Sequence, residues 1–189
     1  MICHLKYKID KKKYKKVFFD NYSKGKFYNL NGVDVPYWWR IYGLEKEVIE
    51  VTRDLGIQDL NFKAVFTFQH QFSKLPDHVD IDRIIGLNLN LADDMPNITI
   101  EKKLYEYEAA LIDVGSKVHS VTADKKPRLV LKYTFTDDWS KIYEVLNKNN
   151  IVDHEKTLKD NPEYKNYISI LTEENKKFLK EPNKLLKNT

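Results

Sequence analysis

The 189-residue chain holds a single cysteine, Cys3, which excludes an internal disulfide and any cysteine-based zinc cluster. It has no apolar run long enough to cross a bilayer. The first residues, Met1-Ile2-Cys3-His4-Leu5-Lys6, lack the apolar core and small-residue cleavage site of a secretory signal. A cytoplasmic location is therefore expected, that of the host if the chain is viral. No repeat or linker is visible, and the length suits one domain with a substantial core but not two. With thiols excluded, any chemistry must come from His, Asp, Glu and Arg.

The composition is that of a soluble protein, with 42% hydrophobic and 32% charged residues. The net charge is +4, and the lysines gather near the ends, in Lys11 to Lys16 and between Lys176 and Lys187. Such runs are expected to be solvated faces. Nucleic acid is an unlikely partner, because a binding groove interleaves its cations with aromatics. The wealth of Lys, Asn, Ile and Tyr suits an AT-rich genome, viral or bacterial.

Read in order, Ile2–Ile9 and Val17–Phe19 suit strands flanking a sheet. Pro36-Tyr37-Trp38-Trp39-Arg40 reads first as a helix start wedged into the core, and second as an aromatic wall of a substrate cleft. Leu44, Val48, Val51 and Leu55 mark an amphipathic helix that Gly56 ends. Phe62–Phe68 is a strand, followed by a polar turn over Ser73–Asp77. His70, in between, reads as a structural histidine or a substrate contact. Leu87, Leu89 and Leu91 alternate with Asn88 and Asn90, so the asparagines face either solvent or a wet pocket. Ile98–Glu101, Ala109–Ile112, Val118–Val121 and Arg128–Phe135 are further strands. Trp139, Ile142 and Leu146 mark a helix capped by Asp137 or Asp138. Further short helices are expected from Asp160-Asn161-Pro162 and from Thr172.

These segments predict one mainly β domain over residues 1–189. Its β core spans about 62–135, a helical extension about 138–180, and a lysine-rich tail closes the chain. A small double-stranded barrel fits the all-β core.

Within that core lie His78-Val79-Asp80, His119 and Arg128. Two imidazoles and one carboxylate fill one face of a non-haem Fe(II) octahedron and leave positions for a co-substrate and O₂. A guanidinium such as that of Arg128 holds an organic carboxylate in a bidentate grip. An acid two residues after a histidine arises by chance about one time in seven. The weight therefore rests on the combination: a strand-loop His-x-Asp, a later strand His, and an Arg on the next strand.

From about Phe62 to Phe135 the chain resembles the 2-oxoglutarate/Fe(II)-dependent oxygenase superfamily, whose jelly-roll core carries His-x-Asp…His and a downstream Arg. His119-Ser120-Val121 and Pro127-Arg128-Leu129 are similar to the small prolyl-hydroxylase-like and aspartyl-hydroxylase-like members, including those of phage and marine bacteria. The resemblance implies a hydroxylase of a protein side chain, an amino acid or another small molecule, with O₂ as oxidant. By that likeness His78, Asp80 and His119 ligate Fe(II), and Arg128 pairs with the distal carboxylate of the co-substrate 2-oxoglutarate. Many members place Ser or Thr two residues after the Arg. Here Val130 stands there, so a hydroxyl from Thr99 or Tyr107 is expected to substitute. Two other readings stay open: a cupin-like metal enzyme that does not use 2-oxoglutarate, and a non-catalytic β-sandwich binding protein.

Overall fold

The computed structural model describes residues 1–30, 33–80 and 85–164. The expected helix from Thr172 and the lysine-rich tail lie outside the described residues. The chain divides into two units, Met1–Asp153 and His154–Thr189. The described part of the second contains one short helix.

The first unit opens with strand β1 (Ile2–His4) and helix α1 (Lys11–Asp20), then β2 (Lys26–Leu30), β3 (Val33–Tyr42) and α2 (Ile49–Asp54). Eight strands follow: β4 (Phe62–Gln69), β5 (Ser73–His78), β6 (Ile85–Asn90), β7 (Asn97–Ile100), β8 (Lys103–Glu106), β9 (Ala109–Asp113), β10 (His119–Ala123) and β11 (Arg128–Phe135). Helix α3 (Trp139–Lys148) closes the unit, and α4 (His154–Asp160) is the helix of the second. Among the described residues no helix is long and apolar enough to cross a membrane.

The strands form two antiparallel sheets, one in the order β1-β9-β6-β11-β4-β3-β2 and the other β5-β10-β7-β8. From β4 onward the chain alternates between them, with the β7–β8 hairpin within the smaller. This is the double-stranded β-helix, or jelly roll, expected from the strand pattern. Inner-face residues of both sheets, among them Trp38, Ile112, Leu75, Ile98 and Val121, pack into one buried cluster.

In its central strands β4, β11 and β6, the larger sheet turns its more apolar face outward. In register, Phe66 pairs with Leu131 and Leu131 with Leu89, whereas Thr67, Val130 and Asn90 form the neighbouring inner row. Helices cover the outer face. Phe18 of α1 lies against Phe66 and Phe68, with ring centroids 6.2 and 5.8 Å away. The Tyr133 hydroxyl donates to the Val48 carbonyl beside α2 (3.4 Å) and accepts from Thr52. Burial pushes that phenol well above its ordinary pKa. Asn88 and Asn90 are thus buried inside the barrel, which selects the pocket reading over the solvent one.

Several local expectations are corrected. Val17–Phe19 is helical, because Asp10 caps α1 by accepting from the Lys13 amide and Tyr14 and Phe18 share its buried face. Pro36–Arg40 is strand, not a helix start. Phe27 pairs with Trp39 and Tyr28 with Val35, so the irregularity between them leaves Pro36 outside the ladder, where its missing N–H costs nothing. Ser73–Asp77 is strand rather than turn, since β5 pairs with β10 as a sheet edge that tolerates Pro76. The helix expected from Leu44 starts at Ile49, although Leu44, Val48, Val51 and Leu55 are all buried as their spacing requires. Helix α4 ends at Asp160, and the helix expected from Asp160-Asn161-Pro162 lies largely outside the described residues, the last of which, Tyr164, is helical. The lysines of α1 lie on exposed faces, Lys11 paired with Glu108 at 2.9 Å and Lys15 with Asp93 at 2.5 Å. Exposed pairs of this kind contribute little to stability.

Candidate metal centre

One extra residue in β5 positions the site. Val121 of β10 pairs with Leu75 of β5, and His119, two residues back, pairs with His78, three residues on. Strict alternation from the buried Leu75 would turn Asp77 inward. The bulge shifts the phase by one, so His78 meets His119 across the ladder and Asp77 is exposed. The two imidazole centroids are 4.3 Å apart. Beyond the strand, the Asp80 amide donates to the Val114 carbonyl at 3.0 Å, which holds the carboxylate beside both rings.

The three side chains converge. Asp80 Oδ1 lies 3.6 Å from His78 Nε2, and Asp80 Oδ2 lies 3.6 Å from His119 Nε2. The other ring nitrogens face main-chain carbonyls, His78 Nδ1 that of Pro76 at 2.7 Å and His119 Nδ1 that of Lys117 at 3.1 Å. A carbonyl only accepts, so each Nδ1 carries the proton and each Nε2 presents its lone pair to the centre. Among the described residues these three offer ligand atoms within 4.8 Å of one another. His119 is buried, while His78 and Asp80 are partly open to the cleft. Two neutral imidazoles and a carboxylate, fixed from outside and open on one side, fit a facially held divalent ion.

Arg128 lines the same cleft. Its side chain is buried, and one Nη donates a short hydrogen bond to the Tyr107 hydroxyl. Nε and the other Nη have no protein partner. The Tyr107 hydroxyl also accepts from Asn88 Nδ2 at 3.2 Å. A buried guanidinium with two unmatched donors is costly unless an anion completes it.

No family model matches the sequence, and no curated protein matches it. Solved structures do. A prolyl hydroxylase from Trichoplax adhaerens, in complex with a hypoxia inducible factor oxygen degradation domain peptide fragment, superposes with a TM-score of 0.52 at 11% identity. The match covers 78% of this chain and 85% of that one. A prolyl-4-hydroxylase from Pseudomonas putida gives 0.44 at 12% identity, over 65% and 82%. A cupin-2 domain protein from Rhodospirillum rubrum gives 0.41 at 8% identity, over 60% and 69%. The likeness is one of fold, a double-stranded β-helix shared with the Trichoplax adhaerens prolyl hydroxylase.

On this fold, the structure brings together His78, Asp80, His119, Arg128 and Tyr107. It does not bring Thr99. Ile98 and Ile100 face the interior, so the pleat turns Thr99 to the opposite side of β7, beside Lys74 and Ser120. Of the two hydroxyls expected near Arg128, Tyr107 is the one in place. His70 is exposed and stacks edge-on with Phe68.

The second half of the cleft was read only in part from the sequence: an aromatic wall over Pro36–Arg40 was the second reading of that stretch, and Lys132 was given no role. Trp38 and Arg40 alternate onto the inner face of β3, and Lys132 lies two residues beyond Val130 on the inner face of β11. The strictly alternating Arg128, Val130, Lys132 was the available signal. Several buried atoms on these inner faces lack protein partners, among them Trp38 Nε1, Arg40 Nε, Thr67 Oγ1, Gln69 Oε1 and Asn88 Oδ1.

Proposed function

We propose that the chain is a 2-oxoglutarate- and Fe(II)-dependent dioxygenase that hydroxylates a protein side chain, an amino acid or another small molecule. The observation that carries this reading is the buried Arg128 guanidinium, with two unmatched donor nitrogens, Nε and one Nη, in the cleft that holds the His-Asp-His set. A metal enzyme without a carboxylate co-substrate would leave that charge uncompensated. All the site residues fall within Met1–Asp153, and we assign the activity to that unit.

The roles of the chain's own groups follow from their contacts. His78 Nε2, His119 Nε2 and the Asp80 carboxylate would hold Fe(II). The Pro76 and Lys117 carbonyls keep both imidazoles in the ligating tautomer, so no rotation or proton shift is needed on binding. Arg128 and the Tyr107 hydroxyl would receive the distal carboxylate of 2-oxoglutarate, orienting its other end toward the metal. Ile98, Val114 and Val121 line the cleft with hydrocarbon and exclude water. When bound, Fe(II) and 2-oxoglutarate supply the redox chemistry, in which O₂ converts the acid to succinate and CO₂ and oxidises a substrate C–H bond.

The test is an anaerobic titration with Fe(II) and 2-oxoglutarate, following the weak visible metal-to-ligand charge-transfer band in wild type and His119→Ala. The expected result is a band in wild type alone. Iron binding with no band on adding 2-oxoglutarate would favour the cupin-like reading and remove the role of Arg128. Binding of neither would return the chain to a non-catalytic β-sandwich.

A further inference from the structure

The cleft offers hydrogen-bond donors beyond those that the metal and its co-substrate engage. Its described lining contains three cations, Arg40, Arg128 and Lys132, and one acid, Asp80. The imidazoles count as neutral when they act as ligands. On the reading above, a divalent ion and a 2-oxoglutarate dianion cancel each other. The described lining then holds two further cations, Arg40 and Lys132, in a place where low dielectric strengthens every interaction.

Those charges are grouped. Arg128 sits at the start of β11 with Tyr107. Lys132 lies two pleats further along, opposite Asn88, and its side chain is buried with Nζ 5.4 Å from the centre of the Trp38 ring. Arg40, two residues from Trp38 on the same face of β3, is only partly buried. Its guanidinium lies 3.7 Å over the Tyr28 ring and donates to the Tyr42 hydroxyl at 3.2 Å. Both neighbours leave donors over: Trp38 Nε1 is fully buried without a partner, and so is Arg40 Nε. An indole N–H and a guanidinium N–H can donate but cannot accept. The group that completes them must therefore be an acceptor, and the surrounding charge makes it an anion.

We propose that the substrate oxidised at this centre carries a carboxylate, held between Trp38, Arg40 and Lys132 while Arg128 holds the co-substrate. The inference rests on the oxygenase reading for its description of what Arg128 holds. The subsite itself stands on residues outside the metal set. An acidic side chain of a peptide and the free α-carboxylate of a small acid share this chemistry.

The test reads the subsite without metal. In ¹⁵N-labelled protein the Trp38 indole N–H resonance is assigned by its absence in Trp38→Phe, then followed during titration with acetate and, separately, with the neutral isostere acetamide. The expected result is a saturable shift with acetate and none with acetamide. Lys132→Met, which keeps the bulk of the side chain and removes its charge, should lose the shift, and Lys132→Arg should recover it. Equal responses to acetate and acetamide would overturn the proposal, as would an unchanged acetate shift in Lys132→Met. N-acetylalanine and N-acetylglutamate α-amide then separate the two sources, the stronger shift marking a free α-carboxylate or an acidic side chain respectively. The two readings fail separately. Loss of the Fe(II)/2-oxoglutarate band in wild type removes the co-substrate assignment and leaves the Trp38 shift standing. A normal band with no acetate-specific shift removes only the carboxylate subsite.

Discussion

His78 and His119 are direct partners across an antiparallel ladder, with ring centroids 4.3 Å apart. Two rings so placed, each with Nδ1 turned to a main-chain carbonyl, form a bidentate site before any ion arrives. His119→Ala should therefore lower divalent-metal affinity about 100-fold or more, since weakening only the groups that orient a ligand already costs 10–100-fold. Calorimetric titration with Mn(II) measures it. Acidification should weaken binding to wild type, because protons compete for the same nitrogen and oxygen atoms. Retention of wild-type affinity in the variant would remove His119 from the ligand set.

On the proposed reading, Tyr107 supplies the hydroxyl expected beside Arg128 in place of a Ser or Thr at Val130. Its oxygen takes the guanidinium on one side and Asn88 on the other. In Tyr107→Phe both donors lose an acceptor, and a hydrogen bond to a charged group is worth about 1.5–3 kcal/mol. The expected outcome is a roughly tenfold or greater rise in the 2-oxoglutarate dissociation constant with little change in metal affinity. A matched loss of both affinities would mean that Tyr107 supports the fold around the metal rather than the co-substrate.

Phe18 anchors α1 over the outer face of the larger sheet and is fully buried among Phe66, Phe68 and Tyr22. Phe18→Ala should cost about 3–5 kcal/mol in a urea unfolding series, the range for removing a buried phenyl ring. The proposed metal ligands lie on other elements, so Mn(II) affinity under native conditions should be unchanged.

Asp137 couples α3 to the start of β4. Its carboxylate accepts from Lys141 at 2.7 Å and from the Asn61 amide at 3.1 Å. These donors, Lys141 first, hold its pKa below the ordinary value of 3.8. A depressed carboxylate pKa adds stability that is complete above the unfolded-state value and is lost as pH falls through the folded-state value. Asp137→Asn should therefore flatten the acid side of the stability profile, read as urea midpoints between pH 6 and pH 2, and lower stability at neutral pH. An unchanged acid limb would assign the coupling to other carboxylates.

Much of the core was legible in the chain because each signal was local. Arg128–Phe135 alternates over its whole length, and it is strand β11 with the same bounds. The leucine–asparagine alternation of β6 separated its two faces correctly, although it could not say which face was interior. Helix α1 was misread because its buried positions, Tyr14 and Phe18, are diluted by lysines. Strand β5 was misread because its sequence, Ser-Lys-Leu-Pro-Asp-His, carries turn formers. Only pairing with β10 makes it a strand.

By itself the sequence determined which chemistry was available: no thiol set, two histidines and an aspartate at jelly-roll spacing, and an arginine one strand later. Covalent order fixes such spacings whatever the fold. Tertiary structure decided which of those groups meet. Register across β5 and β10 turned His78 inward in place of Asp77, and the pleat of β7 carried Thr99 away while the chain beyond β8 brought Tyr107 to Arg128. It also turned the more polar face of the central strands of the larger sheet inward, placing Trp38, Arg40 and Lys132 in one cleft with His78, Asp80 and His119. Those outcomes depend on one-residue shifts in strand pairing, and a period of two gives both faces of a strand the same local pattern.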